Sequence, residues 1–283
     1  MMLVRPDADD VSDDVTPSGS SLHLHFEKWE GLGNDFILTT LPDSALTPAE
    51  IQRLCDRRRG IGADGLLHIT DLEGGHPRMI VRNADGSRPE MCGNGLRCVA
   101  AYLRAHLGAT KTQVSTDAGD RVCGIEGGAG GVYDVTVEMG VAHRRDDLTV
   151  MLGDDTHHFY VVDVGNPHAI TFAPYDDSAV DRVGPAIAAV PAGGINVEFC
   201  RARDGEGLID VTVWERGVGR TLACGTGACA VAAAACETGR ARFGVPMRVR
   251  LPGGDLEVMV DKQRTVLMKG PARRVFTGIA VIR

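Results

Sequence analysis

The sequence predicts an α+β fold of two pseudo-symmetric halves, each a mixed antiparallel β-sheet or barrel wrapped around one central α-helix, with a cleft between them. Three observations carry that prediction. The first is an internal repeat: Met91-Cys-Gly-Asn-Gly-Leu-Arg-Cys-Val-Ala-Ala101 lies over Ala223-Cys-Gly-Thr-Gly-Ala-Cys-Ala-Val-Ala-Ala233 with six identities in eleven positions, where unrelated sequence gives about one. The second is that the same offset of 132 residues, from Cys92 to Cys224, carries Gly33-Asn34 onto Gly165-Asn166, Asp64 onto Asn196 and Asn83 onto Glu215. One offset relating four separated polar sites points to duplication and divides the chain into halves at 22–150 and 151–283. The third is that the strand signals are short and joined by glycine turns, without the long alternating helices of a doubly wound parallel sheet.

The elements follow in order. Leu22 to Trp29 alternates and reads as a strand, followed by the Gly33-Asn34 turn and a second strand from Phe36 to Thr40. Thr47-Pro48-Ala49-Glu50 combines a helix cap, a proline at the first helical position and a reciprocal glutamate, with Gly60 as the expected stop. Strands at Leu66 to Thr70 and Met79 to Asn83 lead to the first Cys-Gly motif, and a helix from Leu96 to Leu107 ends at Gly108. The second half repeats this order with strands at His157 to Val164, Ala169 to Phe172, Ile195 to Arg201 and Leu208 to Trp214, and an Ala-rich helix from Ala228 to Thr238.

Composition excludes several function classes. With 283 residues, 43% of them hydrophobic, the chain can build a sizeable core, and no stretch approaches 18 consecutive apolar residues. Neither a membrane span nor a secretory signal is expected. Residues 1–21 carry five aspartates against Arg5 and read as a disordered acidic tail that holds half of the net charge of −8. What remains is mildly acidic, so nucleic acid is not an expected partner. Eight cysteines without any C-x-x-C pair point to free thiols in a reducing, cytoplasmic setting. Any one of them would ordinarily be a small buried hydrophobe.

Two cysteines stand apart because each opens a helix. In Cys92-Gly93-Asn94-Gly95 and Cys224-Gly225-Thr226-Gly227 the first-turn amides lack intrahelical partners, and their partial positive charge favours both a thiolate and a bound carboxylate. Halves related by a pseudo-twofold would place one thiol on each side of a ligand in the cleft. Stereoinversion at an amino-acid α-carbon needs that arrangement: one base removes the proton and an acid on the opposite face returns one, in either direction. No cofactor is demanded. Gly31-Leu32-Gly33-Asn34 and Gly60-Ile61-Gly62-Ala63-Asp64-Gly65 match neither a dinucleotide fingerprint nor a phosphate-binding loop. A structural zinc site of Cys92, Cys98, Cys224 and Cys229 and a non-catalytic amino-acid-binding module are the rivals from other classes. The zinc reading suffers from poor spacing, and the binding module would need neither thiol.

Six motifs together resemble the diaminopimelate epimerase family: Gly31-Leu-Gly-Asn-Asp-Phe36, Asn83-Ala-Asp-Gly-Ser87, Cys92-Gly-Asn-Gly95, Gly165-Asn-Pro-His168, Glu215-Arg-Gly217 and Ala223-Cys-Gly-Thr-Gly-Ala228. The resemblance implies conversion of LL-2,6-diaminopimelate to the meso form, in lysine and peptidoglycan precursor synthesis, without pyridoxal phosphate or metal. It also implies Cys92 as the base on the LL isomer, Cys224 as its partner, and His168 and Glu215 as the pair that sets the protonation of the thiols. Asn34, Asn83, Gly93, Asn94, Asn166, Asn196, Glu215, Arg216, Gly225 and Thr226 fall on substrate-binding positions. The partner expected is thus a small amino-acid substrate, with a homodimer as the assembly to consider. A racemase of the same fold acting on a proline derivative or histidine is the alternative, disfavoured by Glu215-Arg216, which suits a substrate with a charged distal end. Two departures stand out: Gly65 replaces a glutamine common in the family, and Thr226 replaces a serine.

Overall fold

A computed structural model describes residues 22–73, 75–203 and 207–282, so the acidic tail lies outside the described residues. The first half opens with β1 (Leu22–Gly31) and β2 (Asn34–Thr39), an antiparallel hairpin in register from Glu27↔Leu38 to Gly31↔Asn34. Leu32 and Gly33 make its two-residue turn, both at positive φ (57° and 80°), which is the twist such a hairpin requires. Helix α1 (Pro48–Cys55) starts as the sequence indicates, with Thr47 and Glu50 exchanging both bonds of a capping box. It stops at Cys55, earlier than Gly60. The chain beyond folds back so that the amides of Ile61 and Gly62 bond the Leu54 carbonyl. A Cβ at Gly60 would lie 2.0 Å from the Arg53 carbonyl oxygen, so that glycine permits the return rather than the stop.

β3 (Gly65–Thr70) runs parallel to β2 and β4 (Arg78–Asn83) antiparallel to β3. Helix α2 (Gly93–Leu107) follows and closes on Gly108 at φ 71°, the left-handed cap that glycine accepts without steric cost. A meander of β5 (Lys111–Thr116), β6 (Gly119–Gly127) and β7 (Val132–Val141) completes the unit.

After β8 (His143–Arg144) and β9 (Leu148–Leu152), the second half repeats the plan. β10 (Asp155–Asp163) pairs antiparallel with β11 (Pro167–Thr171), helix α3 (Asp177–Ala188) intervenes, and β12 (Asn196–Arg203) returns parallel to β11. β13 (Leu208–Glu215), the short β14 (Gly219–Thr221), helix α4 (Gly225–Glu237), β15 (Met247–Leu251), β16 (Gly254–Val260) and β17 (Thr265–Ile282) follow. β13 pairs parallel with β15 as β4 does with β5, so the repeat extends from motif to topology. Helix α3 occupies the place of α1 and was not evident in the sequence.

α4 is buried along its length apart from Thr226 and Glu237, and Ala-rich packing lets β10, β11, β12 and β16 close around it. α2 is held by β1, β7 and β17. These two helices share one hydrophobic cluster, and smaller clusters lie beneath α1 and α3.

One feature cuts across the halves as the repeat delimits them. β8 and β9 pair with β10 of the second half, and Arg273–Ile282 of β17 pair with β1 of the first. Each half therefore completes its sheet with a strand from the far end of the other, and a division at 150 and 151 falls inside β9. The offset marks where the repeat units begin and is silent about which strand each unit exchanges.

Candidate active site

Cys92 and Cys224 are the N-cap residues of α2 and α4, in nearly the same backbone conformation (φ −138°, ψ 113° and φ −126°, ψ 108°). Each sulfur accepts a hydrogen bond from the amide three residues on, Gly95 N to Cys92 Sγ and Gly227 N to Cys224 Sγ, both 3.4 Å. A thiol thus takes the role that serine or aspartate fills at ordinary helix starts. The two starts meet: a Cβ at Gly93 would lie 3.3 Å from the Met139 and Met268 methyl groups and 3.8 Å from the Gly225 Cα. Glycine at these positions lets the helix ends approach.

Around Cys92, Asn94 donates to the Asn34 side-chain oxygen at 3.0 Å and to the Ala223 carbonyl at 3.2 Å, which ties the first Cys-Gly turn to the residue before Cys224. Asn34 in turn donates to Asp64 at 2.8 Å. Gly65, in the place of the family's glutamine, opens β3 with its α-carbon against Arg82: a Cβ there would lie 2.6 Å from that carbonyl oxygen.

Around Cys224, Thr226 Oγ1 lies 3.6 Å from the sulfur. His168 and Glu198 are wholly buried, joined by a 2.6 Å contact from Nδ1 to Oε1, and His168 Nε2 lies 3.0 Å from Asn166 Oδ1. Asn196 accepts the Arg216 amide at 2.9 Å. Glu215 accepts from the Thr221 hydroxyl at 2.6 Å.

His168 bonds Glu198 and Asn166, while Glu215 bonds Thr221, so His168 and Glu215 are not directly joined. Glu198 lies in none of the six motifs, and in the segment Ile195-Asn-Val-Glu-Phe-Cys200 it is the one charged residue. Its place in that run, on a strand buried from Asn196 to Cys200, was the available signal. The Arg216 guanidinium is exposed and donates to the Gly193 and Gly194 carbonyls. Asn83 is exposed at the end of β4 and donates to Ser87 at 2.9 Å. The thiols also depart from the expected effect of a helix start. Burial pushes the Cys92 thiol up despite the Gly95 amide. Burial, then Glu215 and Glu198, push Cys224 well above the ordinary thiol range against Thr226 and Gly227. Desolvation at these helix ends outweighs the favourable amides. Burial likewise raises Glu215 against the Thr221 hydroxyl.

His168, Glu198 and Cys224 bring their donor atoms within 4.8 Å of one another, the one such grouping found among the described residues. Cys92, Cys98, Cys224 and Cys229 do not form such a grouping among the described residues. A groove of about 850 Å³ beside α3, lined by Phe172, Tyr175, Phe199 and Arg240 among others, contains none of the candidate residues.

The sequence model for diaminopimelate epimerase matches residues 26–144 and 160–275, which include both Cys-Gly helix starts. The chain belongs to the diaminopimelate epimerase family. The diaminopimelate epimerase of Leptospira biflexa is 38% identical over 280 residues, covering 91% of this chain and 99% of its own. That of Desulforudis audaxviator is 40% identical over 278 residues, covering 90% and 98%. Solved structures share the fold at low identity. A hydroxyproline epimerase from Agrobacterium vitis superposes with a TM-score of 0.70 at 14% identity over 93% of each chain. A PhzF-family phenazine biosynthesis protein from Bacillus anthracis gives 0.72 at 14% identity over 92% of this chain and 100% of its own. The diaminopimelate epimerase-like fold is thus established, as the resemblance of the six motifs implied, along with an epimerase family whose curated members align almost end to end.

Proposed function

We propose that the protein is a two-thiol epimerase that converts LL-2,6-diaminopimelate to meso-2,6-diaminopimelate in lysine and peptidoglycan precursor synthesis. The observation that carries this is the matched pair of cysteine N-caps at touching helix starts, in a chain of this family. The Gly95 and Gly227 amides are turned toward sulfur, which leaves those of Gly93, Asn94, Gly225 and Thr226 ahead of the first intrahelical bonds to hold the substrate α-carboxylate. As the Cα–H bond breaks, an S–H bond forms at Cys92, and negative charge spreads into that carboxylate against these amides. Cys224 gives its proton to the opposite face of Cα, so the carbanion is quenched with inversion and the sulfurs exchange protonation states. Asn34, Asn166, Asn196 and Glu215 line the surrounding polar network. Arg216 reaches the distal carboxylate by releasing the Gly193 and Gly194 carbonyls as the halves close.

All eight cysteines are free thiols, which supports a reducing, cytoplasmic setting. No helix among the described residues is long and apolar enough to cross a membrane.

The test is epimerisation of LL-diaminopimelate followed in D2O by deuterium entry at Cα, alongside a panel of L-amino acids including proline and histidine. Turnover of the diamino diacid is expected, with loss of at least about a hundredfold in Cys92→Ser or Cys224→Ser at unchanged fold. Inactivity on it with turnover of another amino acid would overturn the substrate, and near-normal activity of either serine variant would overturn the mechanism.

A further inference from the structure

The two thiols have the same capping geometry but not the same surroundings. Beside Cys224, the His168–Glu198 pair is fully buried, and the second oxygen of Glu198 has no hydrogen-bond partner. Room for this carboxylate depends on Gly227: a Cβ there would lie 2.7 Å from Glu198 Oε1 and 3.2 Å from Cys224 Sγ. At the offset of 132, His168 and Glu198 fall on Phe36 and Leu66, both buried and apolar, so the first half has no such pair beside Cys92. The groups facing Cys224 are Glu215 from β13, Glu198 from β12 and His168 from β11, with Thr226 Oγ1 and the Gly227 amide from α4. Glu215 pushes both thiols up and does not distinguish them, whereas Glu198 is among the main influences on Cys224 and not on Cys92.

We propose that Glu198 is a positioning residue that anchors His168 through Nδ1 and, by its charge beside the sulfur, keeps the resting proton on Cys224, so that Cys92 is the first of the pair to ionise. The inference rests on the two-thiol function proposed above and explains how a duplicated site starts each turnover with base and acid on defined sides. A carboxylate held near a thiol in a dry site disfavours the thiolate by like-charge repulsion. In the first half, where Leu66 takes its place, that repulsion is missing. Glu198 does not need to touch the substrate for this effect.

The test reads the sulfurs directly, independently of turnover: substrate-free protein is alkylated with iodoacetamide across a pH series, and labelling of Cys92 and Cys224 is quantified separately by peptide mass spectrometry. In Glu198→Gln, which preserves shape and the acceptor for His168, the Cys224 curve is expected to move to lower pH, with about tenfold more labelling at fixed neutral pH for each unit moved, while the Cys92 curve stays. Glu198→Asp, which keeps the charge, restores most of the parental ratio. In His168→Gln, which leaves the carboxylate without its imidazole, Cys224 labelling is expected to fall. For turnover, Glu198→Gln lowers kcat with KM little changed. Cys224 labelling that is unmoved in both Glu198→Gln and His168→Gln, or that rises together with Cys92, overturns the proposal. Should the parent chain fail to epimerise diaminopimelate while these labelling shifts appear, the functional reading fails and the asymmetry of the thiols stands.

Discussion

At Cys92 and Cys224 the Gly95 and Gly227 amides favour a thiolate, yet burial outweighs them and raises both groups. The sign follows directly: a thiol with a raised pKa stays protonated through neutral pH, and its thiolate appears only as pH climbs. In the substrate-free protein, alkylation of either sulfur by iodoacetamide is therefore expected to increase about tenfold per pH unit between 7 and 9, with a midpoint above the ~8.5 of an unhindered thiol. A plateau already reached at pH 7 would contradict it. Local sequence made these two residues legible, since a cysteine at a glycine-rich helix start is a contiguous pattern that the repeat doubles. The partner of His168 was not legible. Glu198 reaches it across two parallel strands 30 residues apart, and the pairing depends on strand register, which the alternation of one strand does not encode. Arg216 shows the complementary limit: the family motif places the residue, but the direction of its guanidinium is set by the Gly193 and Gly194 carbonyls.

Helices α1 and α3 stand at corresponding places in the two halves, yet only the first declared itself. α1 has the whole starting signal in four consecutive residues, and the Thr47 hydroxyl accepts the Glu50 amide while Glu50 accepts the Thr47 amide. α3 begins at Asp176, whose carboxylate accepts the Ala179 amide at 2.7 Å, but Ala179 stands where a capping box needs a glutamate, and the helix carries Gly184 and Pro185 within its span. Those residues normally end a helix. Here burial of Val180, Val183 and Ile187 in one cluster with residues of β10, β11 and β12 overrides local propensity. The strength of the α1 signal is measurable. Thr47→Ala removes one arm of the capping box, and destabilisation of about 1 kcal/mol is expected in urea unfolding, with kcat and KM unchanged because α1 supplies no candidate site residue. A stability loss below a tenth of that value would mean that tertiary packing alone holds α1.

At the scale of the molecule, the repeat suggested two units that meet at a cleft, whereas the sheet shows units that exchange strands. β1 is ten residues long, and its partner over Leu22–Glu30 is the segment Arg273–Ile282 at the far end of the chain. Leu24 and Phe26 of β1 share a hydrophobic cluster with Ile282 and with Ile51 and Leu54 of α1. The larger cluster joins residues of α2 and α4 without a break. Such interleaving holds the two cysteine helix starts in contact and makes the halves interdependent for folding. A fragment of residues 22–150 keeps β1 but loses its outer partner and the packing of α4 against α2, which exposes a long apolar edge and part of the core. It is expected to aggregate or to unfold without a cooperative transition in urea, whereas co-expression with 151–283 restores a soluble complex in which both thiols are again buried. If the isolated fragment gave a cooperative unfolding curve and a dispersed amide spectrum, each half would be an independent domain, and contact between the helix starts would depend on docking instead of on the exchanged strands.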